Sequence, residues 1–238
     1  FTLALIADHL PYTVSPVLGG FLRDLHGVWG LRVGFCVGGV AMLFLAVTRW
    51  KFLGETLKKA EKTSEGKWMD AIRSYRRFSP QVRRLIALRS FVILNGYSMF
   101  YYFAVLYAVR FANVVSFSEW GIIMALSSAS YLAAVPLTEF AARFRPAPFY
   151  TALVLLQALA PLMFLSGTTI LIFASMALLN VGGALAYAVE RTFVAQATEP
   201  TMRGKAESFM NVSFCIGAAI GSSTGGYLYS TPVSYTHL

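Results

Sequence analysis

The stretch "YTVSPVLGGFLRDL" (residues 12–25) interrupts an apolar run with a proline and two glycines, and "CIGAAIGSSTGGYLYS" (residues 215–230) resembles it near the other end. Small residues four positions apart share one helix face and let two helix backbones approach closely. The two stretches match in one register at five positions, which pair Pro11 with Gly217, Ser15 with Gly221, Gly19 with Gly225, Gly20 with Gly226 and Leu22 with Leu228. We therefore predict an internal repeat of two close-packing helices.

The composition is that of a membrane protein. Hydrophobic residues make up 57% of the 238-residue chain and charged residues only 13%, whereas about a quarter of a typical soluble domain is charged. Cys36 and Cys215 both lie in apolar runs, and neither the cysteines nor the three histidines show disulfide or metal-ligand spacing. We therefore expect neither a metal site nor a cofactor.

Seven segments are long and apolar enough to cross a bilayer, which takes about 20 residues. These segments cover residues 1–22, 31–52, 85–109, 119–142, 147–166, 168–195 and 204–229. The alternation of apolar and polar residues that is typical of barrel strands is missing. The sequence predicts an all-α integral membrane protein with seven transmembrane helices.

The basic residues give these predicted spans a direction. All but three of the 20 Lys and Arg lie on the side of the long connection 53–84, and the exceptions are Arg23, Arg32 and Arg110. Cytoplasmic loops of membrane proteins are enriched in basic residues, so we predict that the linker is cytoplasmic and that the protein lies in the plasma (inner) membrane. The net charge of +9 is then explained by topology, and we expect no nucleic-acid partner. Within the linker, Trp68, Ile72 and Tyr75 share one face, which suits either an amphipathic helix on the membrane surface or a solvated connector.

The repeat is parallel, because the first and the seventh predicted spans run in the same direction. A parallel repeat across a cytoplasmic linker is typical of transporters built from two similar halves. The sequence resembles the major facilitator superfamily here. "SPVLGGFLRD" is similar to its antiporter motif G-x(3)-G-P-x-x-G-G, with Pro11 and Ser15 in place of two glycines, and "FLGETL" and "RGKAESFMNV" resemble the end of its sixth and the start of its eleventh helix. "PLTEFAARFR" resembles its G-x-L-x-D-R-x-G-R-R motif, but departs from it at Val135, Phe140 and Ala142.

The resemblance implies that the chain is a fragment with helices five to eleven of an expected twelve. Residues 1–52 would then be the last two helices of the N-terminal half-bundle, 53–84 the linker, and 85–230 five of the six helices of the C-terminal half-bundle. The last residues, "TPVSYTHL" (231–238), break the preceding pattern and resemble a non-native tail.

By the same resemblance the chain belongs to a secondary active transporter, not an enzyme. It would move a small solute by alternating access, coupled to protons, as an exporter or antiporter that is monomeric when complete. The alternative is a seven-helix membrane receptor or sensor, which the number of spans also suits. A membrane-embedded enzyme is a third class, but the chain has neither clustered metal ligands nor a G-x-S-x-G stretch.

Asp8 and His9 are the candidates for proton coupling. The repeat places Asp8 near the middle of the first span, where an ionisable side chain costs at least about 2.5 kcal/mol and is therefore a functional candidate. A neighbouring histidine can share its proton. The alternatives are an arginine partner for Asp8 from another helix or a position on a hydrated wall without coupling.

Several polar residues of later spans are candidates for a substrate cavity. Asn180, Tyr187 and Arg191 lie on one face of the sixth span next to Glu190, and Glu190 and Arg191 could instead form an interfacial ion pair. In the third span, Asn-Gly weakens the helix. Asn95, Tyr101 and Tyr102 could present hydrogen bonds and rings to a substrate in the cavity. Alternatively, the aromatic residues of this span, such as Tyr97 and Tyr107, belong to aromatic belts and helix packing.

The remaining candidates concern conformational change. Glu139 lies at the C-terminal end of its predicted helix, where a carboxylate opposes the helix dipole and needs a partner. Arg143 and the start of the last helix near Gly204 are the two candidate partners. We also expect Pro16 and the paired small residues to lie where the half-bundles rock, namely Gly19, Gly20, Gly221, Gly225 and Gly226.

Overall fold

A computed structural model of the protein describes residues 2–52, 68–141 and 143–230. Of residues 2–10, 52, 68–72, 95 and 97 it describes the backbone alone. Part of the predicted linker and the predicted tail 231–238 therefore lie outside the described residues. Throughout the described ranges the chain is helical, without a strand, in agreement with the predicted all-α class. Its α-helices are α1 (Thr2–Phe52), α2 (Trp68–Arg77), α3 (Pro80–Val92), α4 (Tyr102–Leu106), α5 (Phe117–Ala134), α6 (Leu137–Ala141), α7 (Pro146–Gln157), α8 (Leu159–Phe164), α9 (Thr169–Ala197) and α10 (Arg203–Ser230).

Helix α1 contains the first two predicted spans, and Gly27 separates them. Gly27 has φ 60° and ψ −136°, a conformation that glycine adopts readily and other residues avoid. In a straight helix Leu22 and Gly30 would lie about 12 Å apart, yet a Cβ added to Gly30 would overlap the carbonyl of Leu22. The chain therefore folds back on itself at Gly27.

The third predicted span is a helix of changing pitch. It begins at Pro80, five residues earlier than predicted, because the hydroxyl of Ser79 accepts a hydrogen bond from Val82 N and Pro80 occupies the first turn. Two π-helical stretches, Ile93–Tyr101 and Tyr107–Phe111, flank α4. The first of them, called π1 below, contains the Asn-Gly pair that the sequence identifies as a weak point.

Proline breaks two of the later predicted spans. Helix α5 ends at Ala134, and α6 begins after Pro136. Helices α7 and α8 meet at Ala158, three residues before Pro161. Each proline lacks the N–H that would bond to the carbonyl four residues earlier, so the regular helix ends there.

Two helix pairs organise the packing. Helix α1 runs antiparallel to α5, since Gly20 lies against Phe117 and the earlier residue Pro16 lies against the later residue Gly121. Helix α10 runs parallel to α3 and π1, since the residue numbers of both partners increase together along the contact. Both directions agree with seven alternating segments. Among the described residues, three helices are long and apolar enough to cross a membrane, namely Pro11–Lys51, Pro146–Phe164 and Thr169–Ala197.

Helix α2 is held against the start of α10. The ring of Tyr75 lies 5.3 Å from that of Phe209, and Phe78 lies 5.7 Å from Phe209 in an edge-on arrangement. Lys205 Nζ donates a hydrogen bond to Ser74 Oγ at 3.3 Å. This part of the predicted linker is thus helical, and its Tyr75 packs on protein, while the side chains of Trp68 and Ile72 lie outside the described residues.

Candidate functional site

Two ion pairs lie at one end of the helical bundle, where α3, α7 and α10 begin and α9 ends. In the first, Arg89 of α3 pairs with Glu190 of α9. The hydroxyl of Tyr150 in α7 donates a hydrogen bond to the other carboxylate oxygen of Glu190 at 2.8 Å. One carboxylate therefore joins three helices.

The first pair is withdrawn from solvent. The side chains of Arg89 and Glu190 are 13% and 7% exposed. Burying a charge is costly unless it is paired and hydrogen-bonded, and Glu190 has a partner for each oxygen. Arg89 is less completely satisfied, because its buried Nε makes no hydrogen bond within the described structure.

The second ion pair joins neighbouring helices closer to the surface. Arg191 of α9 pairs with Glu207 of α10, with side chains 33% and 25% exposed. The Arg191 guanidinium also lies 4.8 Å from the centre of the Tyr187 ring, a cation–π distance. Glu190 and Arg191 are thus both in ion pairs, but each with a partner on another helix.

A cavity of about 280 Å³ lies beside the first ion pair, between α3, α7 and α9. Glu190 and Tyr150 form part of its wall together with apolar side chains, among them Leu85, Val189 and Phe193. The cavity therefore has a mainly apolar wall that contains the hydrogen-bonded Tyr150–Glu190 pair, with Gln81, Arg84 and Thr151 as its other polar lining residues.

The predicted cavity residues do not lie together. Tyr101 packs against a hydrophobic cluster that contains Ile172, and Ile172 and Glu190 are about 27 Å apart along α9. Tyr102 is half exposed. Asn180 donates a hydrogen bond to the carbonyl of Met176 at 2.9 Å. Tyr101 therefore lies toward the other end of α9 from Glu190, and the place of both tyrosines in a substrate cavity stays a prediction.

Three of the predicted site residues have no described side chain. Asp8 and His9 lie on the helical backbone of α1, two turns before Pro16, and Asn95 lies on π1. Their side chains are outside the described residues, so their roles stay predictions.

The repeated small residues do not use matching faces. In α10, a Cβ added to Gly217, Gly221 or Gly225 would overlap α3, π1 or Phe103, respectively. In α1 the close contact is at Gly20, against Phe117, while Gly19 has no neighbour within 4 Å. Gly20 corresponds to Gly226, one position away from the contact face of α10. The register of small residues is therefore real in the sequence, but it does not produce equivalent packing, because the two helices meet partners that run in opposite directions.

Hydrogen bonds strengthen the contact between α1 and α5. Ser116 and Glu119 form the predicted capping box at the start of α5. Asp24, in the turn of α1, accepts a hydrogen bond from Ser118 N at 2.7 Å and another from the Ser118 hydroxyl. Both bonds hold the pKa of the Asp24 carboxyl below its usual range, and the bond from the Ser118 hydroxyl has the larger effect.

The predicted contacts of Glu139 are not observed. Glu139 and Arg143 are both exposed, and the ion pairs within the described ranges involve neither. Helix α6, which contains Glu139, packs mainly against α9. Any role of Glu139 in gating therefore stays a prediction.

Sequence reasoning missed Arg89, Tyr150 and Glu207 as partners in this site. Arg89 lies inside a predicted span, four residues after its start, which marks it as an ionisable residue in need of a partner. Glu207 lies inside the predicted span 204–229 and carries the same signal, whereas Tyr150 carries none. Their roles depend on which helices are neighbours.

One comparison with known proteins identifies the family. The family model described as the Major Facilitator Superfamily matches residues 90–236, which is more than half of the chain. Comparison with curated proteins found no match, and comparison with solved structures found none. The match includes the last three residues of α3 and all of α4 to α10, so it contains Glu190, Arg191 and Glu207 but begins one residue after Arg89. The chain belongs to the Major Facilitator Superfamily.

Proposed function

We propose that this protein is a secondary active transporter that exports a small solute by alternating access, driven by protons. The observation that carries the proposal is the family match over residues 90–236, since the family indicates a transporter of the major facilitator type. The long apolar helices are consistent with an integral membrane protein. The antiporter-like stretch around Pro16, Gly19 and Gly20 supports the outward direction.

The proposed topology places the two ion pairs on the cytoplasmic side. The basic linker and the connections at 142–146 and 198–202 share this side, in accordance with the distribution of Lys and Arg. Arg89, Glu190, Arg191 and Glu207 then hold the cytoplasmic ends of three helices together, and Tyr150 adds α7 as a fourth. We propose that Glu139, Arg143, Gly221, Gly225 and Gly226 act with these contacts when the cytoplasmic side opens and closes.

Proton coupling is assigned to Asp8, with His9 as a neighbour that can share the proton. An aspartate near the middle of a membrane span is desolvated, so protonation becomes easier and can be linked to substrate binding. Asp8→Asn should then abolish proton-driven accumulation and retain counterflow exchange.

This prediction is tested with the whole open reading frame that encodes the chain. A drug and metabolite screen in an efflux-deficient host supplies the substrate, and membrane vesicles with and without a proton gradient supply the two assays. The control is Glu199→Gln, which also removes a carboxylate but at an exposed position between helices. Undiminished accumulation by Asp8→Asn would rule out this assignment.

A further inference from the structure

The cavity beside the first ion pair is open to the outer surface of the helical bundle. Its volume of about 280 Å³ has room for roughly nine groups of the size of a water molecule. Leu88 and Thr151 line it and are exposed, as are Gln81, Arg84 and Ala147. In the described structure the cavity is therefore open at the surface of α3, α7 and α9.

The interior of this cavity suits an apolar group. Leu85, Leu88, Val189 and Phe193 supply most of its wall. The polar groups of its floor already satisfy one another, since the Tyr150 hydroxyl donates to Glu190. An apolar chain would displace water from this wall without leaving a polar group unsatisfied.

The mouth of the cavity suits an anion. Arg84 lines it, and Arg145 is the N-cap of α7, beside the lining residue Pro146. The start of α7 has neither a side-chain cap nor an acidic residue in its first turn. Because Pro146 and Pro148 lack an N–H, Ala147 carries the only N–H of the first three residues. A negative group there would meet the guanidinium of Arg84 and the positive end of a helix dipole.

We propose that this cavity binds an anionic phospholipid of the surrounding membrane. Its phosphate lies at Arg84 and the start of α7, and the upper part of an acyl chain lies between Leu88 and Phe193. The inference rests on the proposed topology, which places this end of the bundle at the cytoplasmic leaflet, where anionic lipids attract basic pockets between helices. A bound lipid would pack against the Tyr150–Glu190 floor and stabilise the contact between α3, α7 and α9.

The test is lipid retention by the purified full-length protein, measured by native mass spectrometry. The probes are palmitoyl-oleoyl phosphatidylglycerol and the zwitterionic phosphatidylcholine with the same chains. Arg84→Gln should weaken phosphatidylglycerol binding about fivefold, since one basic residue near a membrane surface contributes about that factor. Arg76→Gln is the matched control, because Arg76 is exposed on the neighbouring α2 and does not line the cavity. Leu88→Trp fills the cavity and should weaken binding without changing the charge.

Three results would overturn the proposal. Equal retention of both lipids would show an apolar crevice without anion selectivity. An equal loss in Arg76→Gln would show diffuse surface attraction, and full displacement by glycerol phosphate would show a site for the headgroup alone. The measurement needs neither substrate nor proton gradient, so a failure of the proposed transport leaves it unaffected. Normal transport with unselective lipid binding would reject only this inference.

Discussion

Glu190 shows how a membrane-protein helix can hold a buried carboxylate. Its two oxygens meet a guanidinium and a phenol from different helices. The desolvation cost of both charges offsets much of their attraction, so the pair contributes little net stability compared with apolar residues of similar size. Removing one partner has a larger effect, because the other charge is then left buried and unpaired.

We predict that Glu190→Gln lowers the free energy of unfolding by about 3 kcal/mol, the lower end of the range for a broken buried ion pair. The lower end applies because Arg89 retains some exposure. Unfolding of the purified protein in a denaturing detergent measures the change.

The matched control is Glu207→Gln, which breaks the more exposed pair with Arg191 and should cost no more than about 1 kcal/mol. A double variant, Arg89→Met with Glu190→Leu, should recover most of the loss, because it removes both charges together. Equal losses in Glu190→Gln and Glu207→Gln would contradict the assignment of the first pair as the buried one.

At the scale of the helices, the contact between α10 and π1 depends on glycine. Gly217 and Gly221 bring the backbone of α10 against Ser90 and Leu94. The partner is π-helical from Ile93 to Tyr101, and π-helical turns inside longer helices are frequent at functional sites. A change of helical pitch in π1 would therefore alter its backbone contacts with this face of α10.

We predict that Gly221→Ala destabilises the protein by about 1–3 kcal/mol, the usual cost of overpacking. An added Cβ would lie 2.5 Å from the carbonyl oxygen of Leu94 and 2.7 Å from the Cβ of Ser98. Unfolding in detergent again provides the measurement. Gly183→Ala is the control: nothing lies within 4 Å of its Cβ position in α9, and alanine favours a helix by about 1 kcal/mol over glycine. If both variants were equally stable, π1 and α10 would not be in close contact.

At the scale of the whole molecule, the α1–α5 contact connects the two predicted half-bundles. Gly20 lies against Phe117, and Gly121 lies against Pro16. In the proposed transport cycle the halves rock against each other, so this interface is where relative movement is expected.

We predict that a disulfide between α1 and α5 blocks transport reversibly. Thr13 Oγ1 and Ser128 Oγ lie 3.2 Å apart, so Thr13→Cys with Ser128→Cys should cross-link on mild oxidation. Cys36 and Cys215 are exposed free thiols and are replaced by serine beforehand. Transport in vesicles should fall on oxidation and return on reduction, while each single cysteine variant stays active. Full transport by the cross-linked protein would show that this contact persists through the cycle.

The sequence predicted local structure correctly where residues close in sequence determine it. The Ser116–Glu119 capping box is present, and the Asn-Gly pair lies inside a π-helix. Pro136 and Pro161 each follow the end of a regular helix. These features depend on backbone hydrogen bonds within a few residues, which a single helix determines by itself.

The sequence alone determined the all-helical class, the family resemblance that the match over residues 90–236 confirms, and the relative directions of α1 with α5 and of α10 with α3. Tertiary structure alone decided which faces meet: Gly20 and not Gly19 contacts α5, and Glu190 pairs with Arg89 and not with its neighbour Arg191. The physical reason is the distance in sequence over which each interaction acts. Hydropathy, capping and proline act within one helix, whereas an ion pair or a backbone contact depends on the rotation and direction of two helices distant in sequence.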